Sequence, residues 1–587
     1  MHRHVARLLT ASAMLGAVPA TAQIVPPKIY STTPTGVNLA DTAFTYSETD
    51  IAIGPLKLER FYIGSYLNDP SSLFFGTHTS SNFDIYVGRT VKSPGRSILT
   101  VHLGASSGGS YETGSVTQIA ANMDAEVGTL VLSGSNYVYT DTAGTEYTFS
   151  SSVPVSGGVG LPSSQRVSRI VFPDGRVQTF SYNGSNQLRL VSDSSGYALV
   201  FDWGANGRIS AACGFNLSRT YVTSSTTCAG ASLKTSYGYS GSLLTSVSDV
   251  QSNTTSYGWQ TGWTQINCVT PPGYSGCKVA NTIFDGKVIG QTLADGTVWT
   301  YSSNVEPGVI TDEGANIDSD GQISSGALDP SGNGFGGTFT RSNPYSFTDG
   351  NGQTTQYRYK GADYYFDNDP PGGPLSEGSF LVEATYPEGN KYLAEYNGPY
   401  RALSKETLVA KPGSGLPNLV KQYGYYFLGA PYTITRQNQT KPAMIVDANG
   451  NQTDFTYATH GGVTSEMQPA PVAGAARPLK LYTYVQGYAY VKNSGGALVA
   501  AASPVWLPAT ETLCQTYAGS STASCDPAAP ITVTSYEYGA SGTADNLLLR
   551  GLVVTSAGVS LRTCYGYDEY GNKIFETKPR AGLASCS

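Results

Sequence analysis

After residue 22 the chain consists mainly of short runs in which apolar and polar residues alternate, and Gly, Asn and Asp separate these runs. Alternate side chains of a strand point to opposite faces, so the alternation predicts strands with one buried face. The run 353–359, rich in Thr and Tyr, has the composition of such a strand. No long helical pattern follows residue 22, and the sequence therefore predicts an all-β chain.

Within this alternation, a turn that contains Gly is repeatedly followed by aromatic residues five and seven positions later. Asp, Asn and Gly supply a tight turn, in which Gly takes positive φ. Residues two apart share a face of a strand, so both aromatic side chains are expected on the same face. The phrase occurs at Gly175, Phe180 and Tyr182; at Gly196, Phe201 and Trp203; at Gly352, Tyr357 and Tyr359; and at Gly450, Phe455 and Tyr457.

The recurrence predicts an array of β-hairpins rather than an assembly of unrelated domains. From Gly175 to Gly196 the step is 21 residues, which is enough for a turn and one hairpin. Other steps are longer, so we expect insertions between repeats, near residues 302–345 and 490–535.

Composition and charge narrow the class of protein further. Charged residues make up 13% of the chain, against a usual value of about 25%, which excludes a coiled coil. Aromatic residues make up 11%, too large an apolar content for bulk disorder. The formal net charge is −7 with no long basic run, so nucleic acid is not expected as a partner.

The N-terminus has the features of a secretory signal peptide. Arg3 and Arg7 precede an apolar stretch, and a small-x-small cleavage site ends at Ala22. We therefore expect a signal peptide over 1–22, a linker over 23–45 and export to the periplasm, the cell surface or the medium. No later stretch reaches the about 18 apolar residues of a membrane helix, so no membrane span is expected.

All eight cysteines lie in the mature part, and each has a near neighbour in the sequence. An even number in an exported chain favours disulfides, although eight cysteines allow about 105 connectivities. Pairing of neighbours closes the shortest loops at the lowest entropic cost, and no Cys-x-x-Cys spacing favours zinc instead. The predicted pairs are Cys213–Cys228, Cys268–Cys277, Cys514–Cys525 and Cys564–Cys586.

Two segments resemble the signature of YD-repeat, or Rhs, proteins. One is Tyr-Asp-x-x-Gly-Asn at 567–572, with Tyr567, Asp568 and Gly571; the other is 447–457. The segment 50–62 is similar to the one that opens many bacterial members. The resemblance covers about residues 45–587, and it implies an N-terminal Rhs-type β region and a following repeat shell. Their expected ranges are 46–160 and 161–587.

In proteins of this family the repeats wind into a long spiralling β-sheet that closes into a hollow shell. The shell of many bacterial members holds a toxic C-terminal domain. The resemblance thus implies a non-enzymatic, structural segment of an exported shell that encapsulates or presents a C-terminal toxin or effector. The Pro- and Asp-rich motif and the variable domain that end such shells are missing, so we expect a shell without cargo or the front part of a longer protein.

A second function class stays open beside the shell. Exposed Tyr and Trp side chains stack on sugars, so the chain is alternatively a cell-surface carbohydrate-binding or adhesion module. A hydrolase ranks last, because His78, His102 and His460 have no suitable Ser, Cys or carboxylate constellation around them in the sequence. We therefore expect no enzymatic activity.

One segment has the pattern of a metal site. Asn316, Asp318 and Asp320 match the first half of a calcium-binding loop, and Gly321 follows at the position of the sharp turn. Ala327 stands where the closing Glu belongs. We expect no cofactor apart from weak calcium binding at these three residues.

Overall fold

The computed structural model describes most of the chain between residues 32 and 586. The described ranges are 32–38, 42–64, 74–93, 96–104, 106–115, 118–122, 128–154, 165–261, 264–284, 286–304, 343–360, 380–397, 402–425 and 438–586. The expected signal peptide over 1–22 and the calcium candidates Asn316, Asp318 and Asp320 lie outside these ranges.

The described residues form 39 strands and one turn of 3-10 helix at Pro579–Ala581. The first strands are β1 (Thr45–Ile53), β2 (Leu56–Ile63), β3 (Thr79–Ser81), β4 (Ile85–Ser93), β5 (Arg96–Leu103), β6 (Ser106–Ser115), β7 (Gln118–Asn122), β8 (Thr129–Ser133), β9 (Asn136–Thr140), β10 (Glu146–Pro154), β11 (Gln165–Val171), β12 (Val177–Tyr182) and β13 (Leu188–Asp193).

The middle strands are β14 (Tyr197–Trp203), β15 (Ile209–Asn216), β16 (Lys234–Ser240), β17 (Leu243–Ser248), β18 (Thr254–Trp259), β19 (Ile266–Thr270), β20 (Val279–Phe284), β21 (Lys287–Leu293), β22 (Val298–Asn304), β23 (Asn343–Thr348), β24 (Thr354–Lys360), β25 (Phe380–Thr385) and β26 (Lys391–Asn397).

The last strands are β27 (Ala402–Val409), β28 (Leu419–Tyr425), β29 (Pro442–Val446), β30 (Gln452–Tyr457), β31 (Val463–Met467), β32 (Pro478–Gly487), β33 (Tyr490–Lys492), β34 (Leu498–Ala500), β35 (Val505–Gln515), β36 (Thr532–Tyr538), β37 (Leu549–Ser556), β38 (Val559–Tyr567) and β39 (Lys573–Glu576).

These strands form one very long antiparallel meander and two small sheets. Consecutive strands pair from β8 to β32, and the meander continues from β35 to β39. An additional pairing joins β11 to β4, so that the strand order closes on itself. The small sheets are β1–β2–β3 and the hairpin β33–β34, which is inserted between β32 and β35. The prediction of an all-β chain is confirmed.

The boundary expected at residue 160 falls in 155–164, outside the described ranges, and strands on both sides of it belong to the same sheet. Of the two expected insertions, 490–535 contains the β33–β34 hairpin and a loop after β35. The other insertion lies mostly within 305–342 and is likewise outside the described ranges.

The main hydrophobic core lies between the N-terminal sheet and the first part of the meander. Its buried members run from Val37 to Tyr301, and they include Leu56 and Leu58 from β2 and Phe201 from β14, all without solvent exposure. The N-terminal sheet therefore forms a second layer over this part of the meander. We call β9–β22 the front half of the sheet and β23–β39 the back half.

The sheet returns to itself after one winding. Gln439 donates a hydrogen bond to the carbonyl of Thr142 at 3.0 Å, although 297 residues separate them. The backbone N–H of Trp506 donates to the carbonyl of Asp174 at 2.8 Å. Further along, Asn216 donates to the carbonyl of Glu569, 353 residues away. The back half thus lies against the front half, and the meander has the course of a spiral.

The eight cysteines pair as the sequence predicts. The Cα–Cα distances of the four bridges lie between 5.3 and 5.6 Å. Cys213–Cys228 holds a loop over a small buried cluster behind β13–β15, and Cys514–Cys525 does the same behind β31 and β32. The disulfides therefore fasten loops locally, and they are those of a protein that folds in an oxidising compartment.

Candidate functional site

The functional candidate is the face of the meander that carries the recurring aromatic residues, called the aromatic face below. Many of the repeats begin with a turn that an Asp side chain organises. The carboxylate Oδ1 of Asp447 accepts hydrogen bonds from the backbone N–H groups of Asn449 and Asn451, both at 2.9 Å. Gly450 completes this turn with φ of 81°, a conformation that favours Gly. Asp568 and Gly571 build the same turn before β39.

The second aromatic residue of each repeat follows a β-bulge. At twelve of these residues in the described part of the chain, the strand register shifts immediately before the aromatic residue. A bulge disrupts the ladder of backbone hydrogen bonds, so a carbonyl near it needs another donor. The side chain of the second aromatic residue supplies that donor to an earlier strand.

Nine Tyr or Trp side chains donate such a bond, with distances from 2.7 to 3.0 Å. In all nine, the acceptor is the carbonyl opposite the second aromatic residue of the preceding repeat; for Tyr182 that residue is Phe149 of β10. The pairs are Tyr182–Val167, Trp203–Leu188, Tyr239–Ile209, Trp259–Leu244, Tyr425–Leu403, Tyr457–Pro442, Tyr484–Val463, Tyr538–Pro508 and Tyr567–Leu549. Each of these nine residues thus fixes its repeat to the one before it.

The first aromatic residue of each repeat distinguishes the two halves, because its neighbour on the adjacent strand changes. In the front half the neighbours are apolar: Tyr147–Ile170, Phe180–Val191, Phe201–Ala212, Tyr237–Val247 and Tyr257–Val269. In the back half Glu enters the series: Tyr357–Ala384, Tyr392–Leu408, Tyr423–Ile445, Phe455–Glu466, Tyr482–Glu511, Tyr536–Leu552 and Tyr565–Glu576.

The front half of the aromatic face is covered by the N-terminal sheet through a buried ionic network. Arg60 of β2 donates from Nε and Nη2 to the carboxylate of Asp50 in β1, at 3.0 and 3.1 Å. Tyr237 of β16 donates to the same carboxylate at 2.9 Å, and Arg60 donates to the hydroxyl of Tyr257 in β18 at 3.1 Å. Burial disfavours the charge, but Asp50 and the tyrosines outweigh it and raise the pKa of Arg60.

Backbone and ring contacts extend this layer. The hydroxyl of Tyr62 accepts a hydrogen bond from the N–H of Ile266 at 3.0 Å, and Gln265 donates to the carbonyl of Gly64 at 3.0 Å. The ring of Phe75 packs against that of Tyr237 with centroids 4.8 Å apart. These contacts bury the front aromatic residues, of which Tyr237 retains 7% exposure.

In the back half the first aromatic residues are half-buried, and several of these tyrosines lie beside carboxylates, whereas the second aromatic residue Tyr425 is buried. Glu406 accepts hydrogen bonds from Tyr392 at 2.9 Å and from Tyr423 at 2.5 Å, although these tyrosines lie on the two strands that flank it. Burial and the carboxylate together raise the pKa of both tyrosines above the ordinary range. The Lys421 ammonium group lies 4.9 Å from the ring centroid of Tyr423. This surface offers aromatic area, hydroxyls and carboxylates together.

The structure places the remaining predicted residues as follows. The side chains of Phe180, Tyr182, Phe201 and Trp203 join the main core, whereas Phe455, Tyr457 and Tyr567 stay half-buried. Tyr357 lies in β24 and is half-buried, and Tyr359 lies in the same strand. Among the described residues no group of three or more His, Cys, Asp or Glu side chains is arranged to hold a metal ion.

Each of the three histidines lies in a separate structural contact. His78 Nε2 is 2.9 Å from the hydroxyl of Thr264, and His102 stacks on Tyr86 with ring centroids 4.3 Å apart. His460 stacks on Trp506 at 4.6 Å. The structure does not bring the three histidines into one site.

The sequence did not predict the two features that distinguish the front half of the aromatic face from the back half, namely the covering ionic pair and the Glu residues opposite the first aromatic rings. The Asp50–Arg60 pair lies in the segment 50–62, but nothing in a single sequence shows that it packs under β16 and β18. The Glu residues at 466, 511 and 576 become informative only when the strand register shows that each faces a first aromatic residue.

No protein-family model matches the chain. No curated protein matches it either. In the part of the chain that the structure describes, no helix is long and apolar enough to span a membrane.

Solved structures of Tc toxin components show similarity to the chain. A crystal structure of TcdB2-TccC3 without the hypervariable C-terminal region is 13% identical with a TM-score of 0.28, covering 85% of this chain and 27% of that chain. The Tc holotoxin pore of Photorhabdus luminescens is 13% identical with a TM-score of 0.27, covering 90% and 28%. The chain therefore spans less than a third of the length of either structure, and similarity at this level does not define a function.

Proposed function

We propose that this chain is a non-enzymatic segment of the β-shell of an exported YD-repeat protein, and that the shell encloses or presents a C-terminal toxin or effector. The observation that carries the proposal is the wound sheet. Its aromatic face is sealed by the N-terminal sheet in the front half and stays half-buried in the back half. A surface of half-buried tyrosines suits contact with another polypeptide.

Export through the signal peptide at 1–22 is part of the proposal. Four disulfides within a chain of this size support it, because such bonds persist outside the reducing cytosol. An N-terminal sequencing experiment on the secreted protein tests it, and we expect the mature chain to start at Gln23.

The absence of enzymatic activity is also proposed. Of the three described histidines, His102 and His460 stack on aromatic rings and His78 meets the hydroxyl of Thr264, and none of these contacts includes a carboxylate that would complete a catalytic triad. Calcium binding at Asn316, Asp318 and Asp320 stays a prediction. Metal analysis of protein dialysed against calcium, with Asp318→Asn as the control, tests it.

The enclosing role is tested on the polypeptide that the producing cell exports. We expect peptide mapping to find further sequence linked to this chain, and limited proteolysis to leave that segment intact while the shell is closed. Rapid digestion of the linked segment in the native protein would contradict enclosure. Digestion after the shell is unfolded in urea is the positive control.

The second candidate function is carbohydrate binding, and the Tyr392–Glu406–Tyr423 group favours it. Aromatic rings beside a carboxylate suit a sugar, whose C–H face stacks on the ring while its hydroxyls bind the acid. A glycan array probed with the purified protein tests this function. Binding that is lost in Tyr392→Ala and retained in Tyr274→Ala, a change at an exposed loop tyrosine, would favour it over the shell.

A further inference from the structure

The front and back halves meet along a line of contacts that we call the seam. It is defined by residues of both halves that lie at the ends of strands. The front-half side comprises 142, 174–175, 196–197 and 216–219, and the back-half side comprises 439, 489–492, 504–506, 545–546 and 569–571. The seam runs through connections between strands, so separating it leaves the ladder hydrogen bonds of the sheet in place.

Asp545 is the centre of the seam. Its carboxylate accepts hydrogen bonds from Asn216 at 2.6 Å and from Ser218 at 2.9 Å. Arg219 adds two bonds, from Nε at 3.1 Å and from Nη2 at 2.5 Å. All three donors belong to one front-half segment, and the Asp545 side chain keeps only 3% exposure within it. One carboxylate therefore collects four hydrogen bonds across the seam.

The neighbour of Asp545 ties the inserted hairpin to the same point. Asn546 donates to the carbonyl of Tyr488 at 2.8 Å and accepts from the N–H of Tyr490 at 3.2 Å. The hairpin in turn reaches the front half, where the N–H of Lys492 donates to the carbonyl of Leu217 at 2.8 Å. Displacing the 545–546 segment therefore also loosens the contact between β33 and the front half.

Most of the contacts across the seam are hydrogen bonds, and its apolar contacts, such as those of Ala489 and Val491 beside Gly196, are few compared with the cores on either side. The four disulfides each join residues at most 22 apart, so none of them bridges the two halves. The buried members of the main core end at Tyr301, and of the described back half only the partly buried Tyr570 packs against them. Hydrogen bonds that water can replace hold the seam, whereas apolar burial holds each half.

We propose that the seam is the site at which the shell opens, with Asp545 as the latch between the two halves. The two windings then move apart while each half keeps its strands paired. This inference rests on the proposed function, because only a shell has a content to release. It concerns the opening of this chain itself, so it is measured without any cargo.

Two backbone amides report on the seam directly. The N–H groups of Lys492 and Trp506 donate across it, to Leu217 and to Asp174. In Asp545→Ala we expect the Lys492 amide to exchange hydrogen about tenfold faster or more, since a charged acceptor of four hydrogen bonds is lost. The Trp506 amide should follow with a smaller increase. Amides in β14 and β15, which pair within the front half, should keep their wild-type rates.

Asp249→Ala is the matched control, because Asp249 also lies in a connection between strands and accepts several hydrogen bonds, but within its own turn and away from the seam. Its Oδ1 accepts from the N–H groups of Gln251 and Asn253 at 2.8 Å. We expect this variant to leave the exchange of Lys492 unchanged. Equal exchange of Lys492 in wild-type and Asp545→Ala protein would overturn the proposal.

A variant that leaves 545–546 untouched guards against misfolding of that segment. Asn216→Ala with Ser218→Ala removes two of the donors from the front-half side. It should accelerate exchange at Lys492 in the same direction as Asp545→Ala. Faster exchange throughout β14 and β15 in both variants would mean that the sheet unfolds rather than opens, and would overturn the latch. The proposed enclosure is judged separately, by protection of the linked segment from protease.

Discussion

The two halves of the sheet are built from the same repeat, but they present different surfaces on the aromatic face. Both carry a tight turn, a bulge and a second aromatic residue bonded to the preceding repeat, so their backbones are fixed in the same way. They differ in what lies on the aromatic face. In the front half Val247 and Val269 face the first aromatic residues, and the N-terminal sheet covers them. In the back half Glu466 and Glu511 stand at the corresponding positions.

The comparison distinguishes the residues that hold the sheet together from those that determine the surface of its aromatic face. The turn and the second aromatic residue are common to both halves, so they serve the backbone. The residue opposite the first aromatic ring varies with the layer above it, because a charge there is tolerated only where solvent reaches the face. Binding to another molecule is therefore to be tested at the residue opposite the first aromatic ring.

Exchanging the residue opposite the first aromatic ring between the two halves should have the largest effect on the free energy of unfolding. Val247→Glu would bury a carboxylate beside Tyr237, whose hydroxyl donates to Asp50, and we expect a loss of more than about 4 kcal/mol in the free energy of unfolding. Glu466→Val should change it by less than about 1 kcal/mol, since the back face is half-buried. Urea denaturation followed by Trp fluorescence measures both. Equal losses would remove the distinction between the halves.

Breaking the ionic network around Arg60 should lower the free energy of unfolding by nearly as much. Asp50→Ala removes the buried carboxylate that pairs with Arg60 and leaves it with the more distant, partly exposed Glu48 at 3.5 Å, so a loss of about 3–5 kcal/mol is expected. The matched change in the back half, Glu406→Ala, removes an acceptor from two half-buried tyrosines and should cost about 1 kcal/mol. The same denaturation experiment compares them. A loss in Asp50→Ala no larger than in Glu406→Ala would show that the N-terminal sheet is not held by this network.

Removing the hydroxyl of a single second aromatic residue tests the bond that both halves share, and its effect on stability should be smaller. Tyr182→Phe takes the donor from the carbonyl of Val167, a fully buried residue, and should cost about 1–2 kcal/mol. Tyr538→Phe does the same at Pro508, where water can replace the hydroxyl, and should cost about 0.5 kcal/mol or less. A larger loss of stability in Tyr538→Phe than in Tyr182→Phe would contradict the conclusion that the front half is covered and the back half is not.

The smallest effect is a pH dependence of stability that has opposite signs beside the N-terminal sheet and in the back half. Burial raises the pKa of Asp84, beside the N-terminal sheet, to about 7, although Arg166 and hydrogen bonds from Ser81 and Phe74 oppose the shift. The folded pKa lies above the unfolded one of 3.8, so the stabilisation is complete below 3.8 and is lost as pH rises towards 7. Protection of residues 74–84 from hydrogen exchange should therefore fall over this range, and less so in Asp84→Asn.

At the seam the sign is reversed. Burial first, and then Lys441, lower the pKa of His460, while Asp174 opposes them; the rings of Tyr484 and Trp506 also face the imidazole. The stabilisation is present above the unfolded pKa of 6.5 and is lost as pH falls through the lower folded value. The Trp506 amide should therefore exchange faster in acid, after correction for intrinsic rates. His460→Phe, which keeps the stack, should lose this dependence.

Much of the local structure could be predicted from the sequence because it depends on near neighbours. The Asp–Gly turns, the strands between them and the four short-range disulfides all involve residues within about two strands of each other. The bond from Tyr538 to Pro508 could not be predicted, because the inserted loops decide which strand lies opposite which. The cover of Tyr237 by Asp50 and Arg60 depends on the packing of two sheets, which alternation alone does not encode.

The aromatic face is covered in the front half and accessible in the back half, and the different roles of the two halves follow from this difference in cover. Hydroxyl-radical footprinting with mass spectrometry measures this for each tyrosine in the folded protein. We expect Tyr482, Tyr536 and Tyr565 to be oxidised several-fold faster than Tyr237 and Tyr257, relative to their rates in urea. Equal protection of the two groups would contradict the account, because the back half would then be covered as completely as the front.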